Sequence, residues 1–80
     1  MRLDKYLKVS RLIKRRSVAN EACDKARITV NGREAKASYQ VKIGDVIEIA
    51  FGNRMLRVEV VDVAENVKKT DAAAMYRPVI

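Results

Sequence analysis

The spacing of apolar residues changes once along this chain, at Ile28, and that change fixes the order of its elements. Up to residue 27 the apolar positions recur at helical intervals. Leu3, Tyr6, Leu7, Ser10 and Ile13 fall within one arc of about 120° on a helical wheel, and Asp4, Lys5, Lys8 and Arg11 fall in another. This predicts an amphipathic first helix with a charged side. "RLIKRR" then leads into Ser17, a residue suited to capping a second short helix. Beyond it Val18, Ala19, Ala22, Cys23 and Ala26 share a core-facing stripe, opposite Asn20, Glu21, Asp24 and Lys25. From Ile28 alternation takes over. "RITVNG" ends on Asn31-Gly32, a strong hairpin signal, and "VIEIAF" puts Ile47, Ile49 and Phe51 on one side. "RMLRVEVVDV" alternates Leu56, Val58 and Val60 with Arg57 and Glu59, so the last two runs read as a hairpin across Gly52-Asn53. Near the end, Thr70 is placed to cap a short helix from Asp71 to Tyr76, which Pro78 would stop. The expected fold is α+β: two N-terminal helices packed on a small, mainly antiparallel sheet, with a short C-terminal helix.

Eighty residues supply material for one core, so residues 1–80 are expected to form one domain. At 49% hydrophobic and 34% charged, the chain is too apolar for disorder by composition and too charged for a membrane span. Its uncharged apolar runs fall well short of the roughly 18 residues that cross a bilayer, and no apolar stretch follows "MRLDK" as a signal peptide would require. A cytoplasmic location is expected. The lone Cys23 agrees with it, since small secreted domains are braced by paired cysteines; its spacing suits a small buried apolar residue. The absence of His excludes imidazole bases, His-dependent triads and His-ligated zinc. With no Gly-rich phosphate loop, paired catalytic carboxylates or Cys pair either, the chain is expected to be non-catalytic, without cofactor or metal.

The charge is unevenly spread. Residues 1–27 hold nine cations against three acids, a net of +6; residues 28–80 hold eight against seven, a net of +1. A lopsided field of this kind draws in a polyanion. The candidate contacts are Arg2, Lys5, Lys8, Arg11, Lys14, Arg15 and Arg16, Arg forks pairing bidentately with phosphate and Lys supplying a mobile point charge. Folded RNA is the expected ligand. Single-strand binders stack bases on exposed aromatics, yet of the four aromatics Phe51 and Tyr6 sit on core-facing patterns, leaving Tyr39 and Tyr76. No helix carries base-reading Asn or Gln for DNA, and the face opposite the charges is needed for the core rather than for a membrane. Asp4, an acid inside the cationic patch, has two readings. It either caps the helix dipole and pairs with Lys8, at a few tenths of a kcal/mol, or orients cations and accepts a hydrogen bond from RNA. Asn31 and Gly32 read first as turn residues.

"RLDKYL", "SVANEACDKARITVNG" and "KIGDVIEI" together resemble the RNA-binding domain family named after small-subunit ribosomal protein S-four. Its pattern is an Arg-Leu-Asp opening, a Ser-headed second helix, a G-x-V-x-V-N-G strand and turn, and a later Gly-Asp before alternating apolar residues. The likeness covers about residues 1–50, leaving 51–80 as a strand extension and C-terminal helix. One departure stands out: Ala26 occupies the position where the family usually has Gly. If that position needs a left-handed backbone, Ala costs on the order of 1 kcal/mol there.

The resemblance implies that the two helices form the RNA-binding face, with Arg2, Asp4, Lys5, Lys8, Arg11, Lys14, Arg15 and Arg16 on it. "RLDKYLKVSRLIKRRS" and "KKTDAAAMY" look like the short free-standing bacterial members that act in ribosome-associated quality control. For those the resemblance implies binding to large-subunit rRNA and peptidyl-tRNA on blocked large subunits, as monomers, in support of a partner protein that tails the stalled nascent chain. A neighbouring group, the heat-shock-type proteins that bind and recycle blocked subunits, has a longer basic C-terminal extension. The chain stops at Ile80, which favours the quality-control group. A small RNA-modifying enzyme is the alternative of a different class.

Overall fold

The computed structural model describes residues 1–64, 72 and 74–79. Helix α1 (Leu3–Val9) and helix α2 (Arg16–Asp24) precede strands β1 (Ile28–Val30), β2 (Arg33–Glu34), β3 (Val46–Phe51), β4 (Arg54–Val60) and β5 (Tyr76–Pro78). The strands form one antiparallel sheet in the order β2-β1-β3-β4-β5. This is the expected α+β arrangement.

Both hairpins form where the sequence places them. Val30 pairs with Arg33 across Asn31-Gly32, whose φ values of 54° and 81° are both positive, as a two-residue hairpin loop of the primed type requires. Phe51 pairs with Arg54 across Gly52-Asn53. The core lies between the helices and one face of the sheet. Leu3, Tyr6 and Leu7 of α1 and Ala19 and Cys23 of α2 are buried with Ile28, Val30, Ile47, Ile49, Val58 and Val60. Tyr6 is fully enclosed, and its hydroxyl donates to the Met75 carbonyl at 2.7 Å, fixing the C-terminal segment over α1.

The helix boundaries differ from the sequence pattern. The first helix ends at Val9, with Ser10 as its C-cap, and Arg11 takes φ 62°, reversing the chain so that the Ile13 N–H donates to the Leu7 carbonyl. Ile13 therefore reaches the core from a turn rather than from a helix, and Arg11 leaves the helical charged arc. Ser17 lies inside the first turn of α2; Arg15, extended at φ −122°, holds the capping position without a side-chain bond. Val18 is exposed, as is Phe51, which sits at the hairpin tip opposite Arg54. Alternation sets the side of a strand on which a residue points, but a core face ends where the covering helices end.

Ala26 does adopt the left-handed backbone, at φ 56°. Its N–H donates to the Cys23 carbonyl and that of Arg27 to the Ala22 carbonyl, the paired bonds that close a helix when a left-handed residue follows its end. Ala at that site costs about 1 kcal/mol relative to Gly. For the expected C-terminal helix, Thr70 and Asp71 lie outside the described residues. Ala72, Ala74 and Met75 have tight helical geometry, and Tyr76 already belongs to β5. Pro78, which lacks a donor, is tolerated on this edge strand.

Candidate nucleic-acid interface

The N-terminal cations gather around one buried acid. Asp4 lies in the first turn of α1, where its side chain is 3% exposed, and it accepts from two elements at once. Arg2, in extended backbone just before α1, donates from Nε to Oδ1 at 3.2 Å and from Nη2 to Oδ2 at 3.3 Å. Arg16, the first residue of α2, places Nε 3.3 Å from Oδ2 and Nη2 3.5 Å from Oδ1. Asn20, one turn further along α2, donates from Nδ2 to Oδ2 at 3.3 Å, and the Lys5 backbone N–H donates to Oδ1 at 2.8 Å.

Burial by itself would raise the pKa of the Asp4 carboxyl. The bonds from Arg16, Asn20, Arg2 and the Lys5 backbone outweigh it and hold the group below the usual carboxylate value. Asp4 is thus ionised at neutral pH and fixes both guanidinium groups. Their side chains remain 45% and 47% exposed, so each fork keeps donors turned to solvent. Two arginines from different elements are held as one pair, an arrangement pre-organised for a bidentate anion such as phosphate. The arrangement corrects one reading of Asp4: it is not a solvated helix-end charge paired with Lys8 but a buried acceptor shared by two arginines.

Lys8, Arg11, Lys14 and Arg15 are exposed, with no ion-pair partner among the described residues, and Lys5 is partly buried on α1. Arg11, Lys14 and Arg15 lie on the turn between the helices and therefore extend the cationic surface past α1 instead of along its side. Asn20 was legible only as part of a polar stripe. Its spacing of four from Arg16 put the two on one side of α2, but nothing in that spacing named Asp4 as their shared acceptor. Asn31 is structural: its Nδ2 donates to Asp45 Oδ1 at 3.0 Å and its Oδ1 accepts from the Val46 N–H at 2.9 Å. Cys23 is buried, which together with the nearby Asp4 and Asp24 charges pushes its thiol up to about 11, so it stays protonated at neutral pH.

The family model described as S4 domain matches residues 1–47. The "RQC P-site tRNA stabilizing factor" of Streptococcus pneumoniae is 59% identical over 95% of this chain and 86% of that protein. The factor of the same name from Bacillus subtilis is 53% identical over 95% of this chain and 88% of that protein. Among solved structures, the trimeric heat shock protein 15 of Vibrio cholerae superposes with a TM-score of 0.91 at 29% identity, covering 99% of this chain and 81% of that one.

Proposed function

The chain belongs to the S4 domain family, and on that premise we propose that it is a non-catalytic RNA-binding factor of ribosome-associated quality control. It binds large ribosomal subunits blocked by peptidyl-tRNA, contacts rRNA and tRNA there, and stabilises the tRNA while the stalled nascent chain is tailed. The observation that carries the RNA-binding part is the Arg2–Asp4–Arg16 cluster, two half-exposed guanidinium forks locked on one buried carboxylate within a +6 segment. The relatives point to the tRNA-stabilising role: identities of 53–59% over nearly the whole chain go with that name, against 29% for the heat-shock structure.

The interface is formed by Arg2, Lys5, Lys8, Arg11, Lys14, Arg15 and Arg16, with Asp4 as the residue that positions Arg2 and Arg16. The factor works as a cytoplasmic monomer alongside a separate protein that extends the nascent chain. It stabilises tRNA by mass action: a ligand that binds one arrangement of the particle more tightly shifts the population toward it by its differential affinity. Sedimentation with purified large subunits, with and without bound peptidyl-tRNA, tests this reading. Binding is expected to be tighter on the tRNA-blocked subunits and to weaken linearly in log affinity against log salt, as phosphate contacts release counterions. Equal affinity for the two particles, or affinity indifferent to salt, contradicts it.

A further inference from the structure

A second site lies beside the cationic cluster, on the edge of the sheet. An open groove of about 630 Å³ runs along β2 and the segment that follows it, within the size range of small-ligand sites. Tyr39 lines it. Tyr39 is half-buried and packs against the hydrophobic core. Its hydroxyl donates to Asp45 Oδ2 at 2.8 Å. Asp45 is itself 7% exposed and held by the Lys42 N–H at 2.9 Å and Asn31 Nδ2 at 3.0 Å. The backbone is fixed as well, since the Leu3 N–H donates to the Tyr39 carbonyl at 2.8 Å. The ring is a preformed platform, and a flat ligand stacking on it loses little protein entropy.

Two exposed cations, Arg33 and Lys36, line the same groove and have no ion-pair partner among the described residues. Lys36 also borders a neighbouring groove of about 530 Å³, whose wall includes Arg2. Arg2, Lys36 and Arg33 therefore mark a line from the Arg2–Asp4–Arg16 cluster to Tyr39, along which Glu34 borders both grooves and Asp24 the second. A polyanion following that line meets a fixed aromatic face flanked by positive charge, the combination that holds unpaired nucleotides.

We propose that this groove is a binding site for an unpaired nucleotide of the bound RNA, its base stacked on Tyr39 and its flanking phosphates held by Arg33 and Lys36. The site rests on the RNA-binding reading above and adds to it: the helical face grips folded backbone, and this edge takes a base that has left the stack.

The test uses the unaltered protein and two end-labelled RNA hexamers, hexa-adenylate and the same backbone with the bases removed, titrated by fluorescence anisotropy at low salt. Charge is identical, so phosphate attraction alone gives equal affinities. The base-bearing hexamer is expected to bind on the order of tenfold more tightly. Tyr39→Phe keeps that preference, and Tyr39→Leu loses it. Because the chain contains no Trp, the emission of a Tyr39→Trp variant reports position 39 alone and is expected to be quenched by hexa-adenylate and not by the abasic hexamer. Equal affinities for the two hexamers overturn the proposal, as does unquenched emission when hexa-adenylate is bound. The comparison of hexamers needs no variant, so a folding defect leaves it decisive. Arg16-dependent binding to large subunits is read separately, so its presence beside equal hexamer affinities overturns this site alone.

Discussion

Two surfaces of this small molecule are built from the same charged residue types and arranged to opposite effect. On the outer face of the sheet, acids and bases sit opposite one another across strands: Arg57 pairs with Glu48 at 3.2 Å and Arg77 with Glu59 at 2.7 Å. These charges cancel locally. On the helical face one acid is sunk out of solvent between two arginines, and Lys8, Arg11, Lys14 and Arg15 beyond it have no ion-pair partner among the described residues. Asp4 neutralises less than it organises. Position relative to solvent decides whether a carboxylate cancels a patch or shapes it: an exposed one competes with an incoming phosphate, while a buried one holds the donors the phosphate will meet.

The most severe break in this comparison comes from the arginines. Arg16→Ala or Arg2→Ala is expected to reduce co-sedimentation with tRNA-blocked large subunits by two orders of magnitude or more, whereas Arg57→Ala and Arg77→Ala leave it within about twofold, each carrying the same loss of charge. Similar losses from both faces would mean that net charge alone drives binding.

Asp4→Asn sharpens the contrast further, because electrostatics by itself predicts the wrong sign. Removing a negative charge from a cationic patch favours phosphate, yet the variant is expected to bind about tenfold more weakly, since the two guanidinium groups lose their common anchor. Stability should also fall, by roughly 1 to 3 kcal/mol, because hydrogen bonds from charged groups to a buried acceptor are weakened. The pH dependence follows from the same group. Asp4 is held below its ordinary value of 3.8, so its contribution to stability is present above about pH 4 and is lost as the pH falls through the folded-state pKa. Acid titration of the thermal melt is expected to show a shallower loss for Asp4→Asn than for the unaltered protein. Tighter subunit binding by the variant would return Asp4 to a purely structural role.

A smaller effect belongs to the seam between the two regions. Ala26→Gly relieves the left-handed strain where α2 hands over to β1 and is expected to stabilise by up to about 1 kcal/mol, raising the melt by roughly 4 to 8 °C without altering RNA binding. The smallest belongs to the sheet face, where Glu48→Ala should change stability by no more than about 0.5 kcal/mol, as a partly exposed cross-strand pair does.

Much of this architecture was legible in the chain. The change of period at Ile28 marks the passage from helix to sheet, and Asn31-Gly32 and Gly52-Asn53 mark both hairpins, because local turn chemistry and the pleat period are written in adjacent residues. Three features were not. The reversal at Arg11 is set by Ile13 turning back into the core, and a helical pattern that continues through Ser10 and Ile13 conceals it. The exposure of Phe51 depends on where the covering helices stop. The burial of Asp4 depends on Arg16 and Asn20 arriving from another helix, 12 and 16 residues away. For the candidate site, the sequence singles out seven cations and one acid, and nothing in it reveals that Arg2 and Arg16 among them share that acid as an anchor.

Cryo-electron microscopy of the protein bound to tRNA-blocked large subunits is decisive, because it shows which face meets RNA. Arg2 and Arg16 are expected against nucleic-acid backbone with Asp4 still between them, and the Arg57–Glu48 and Arg77–Glu59 pairs facing away from RNA. RNA packed on the sheet face, with Arg2 and Arg16 in solvent, would contradict that expectation.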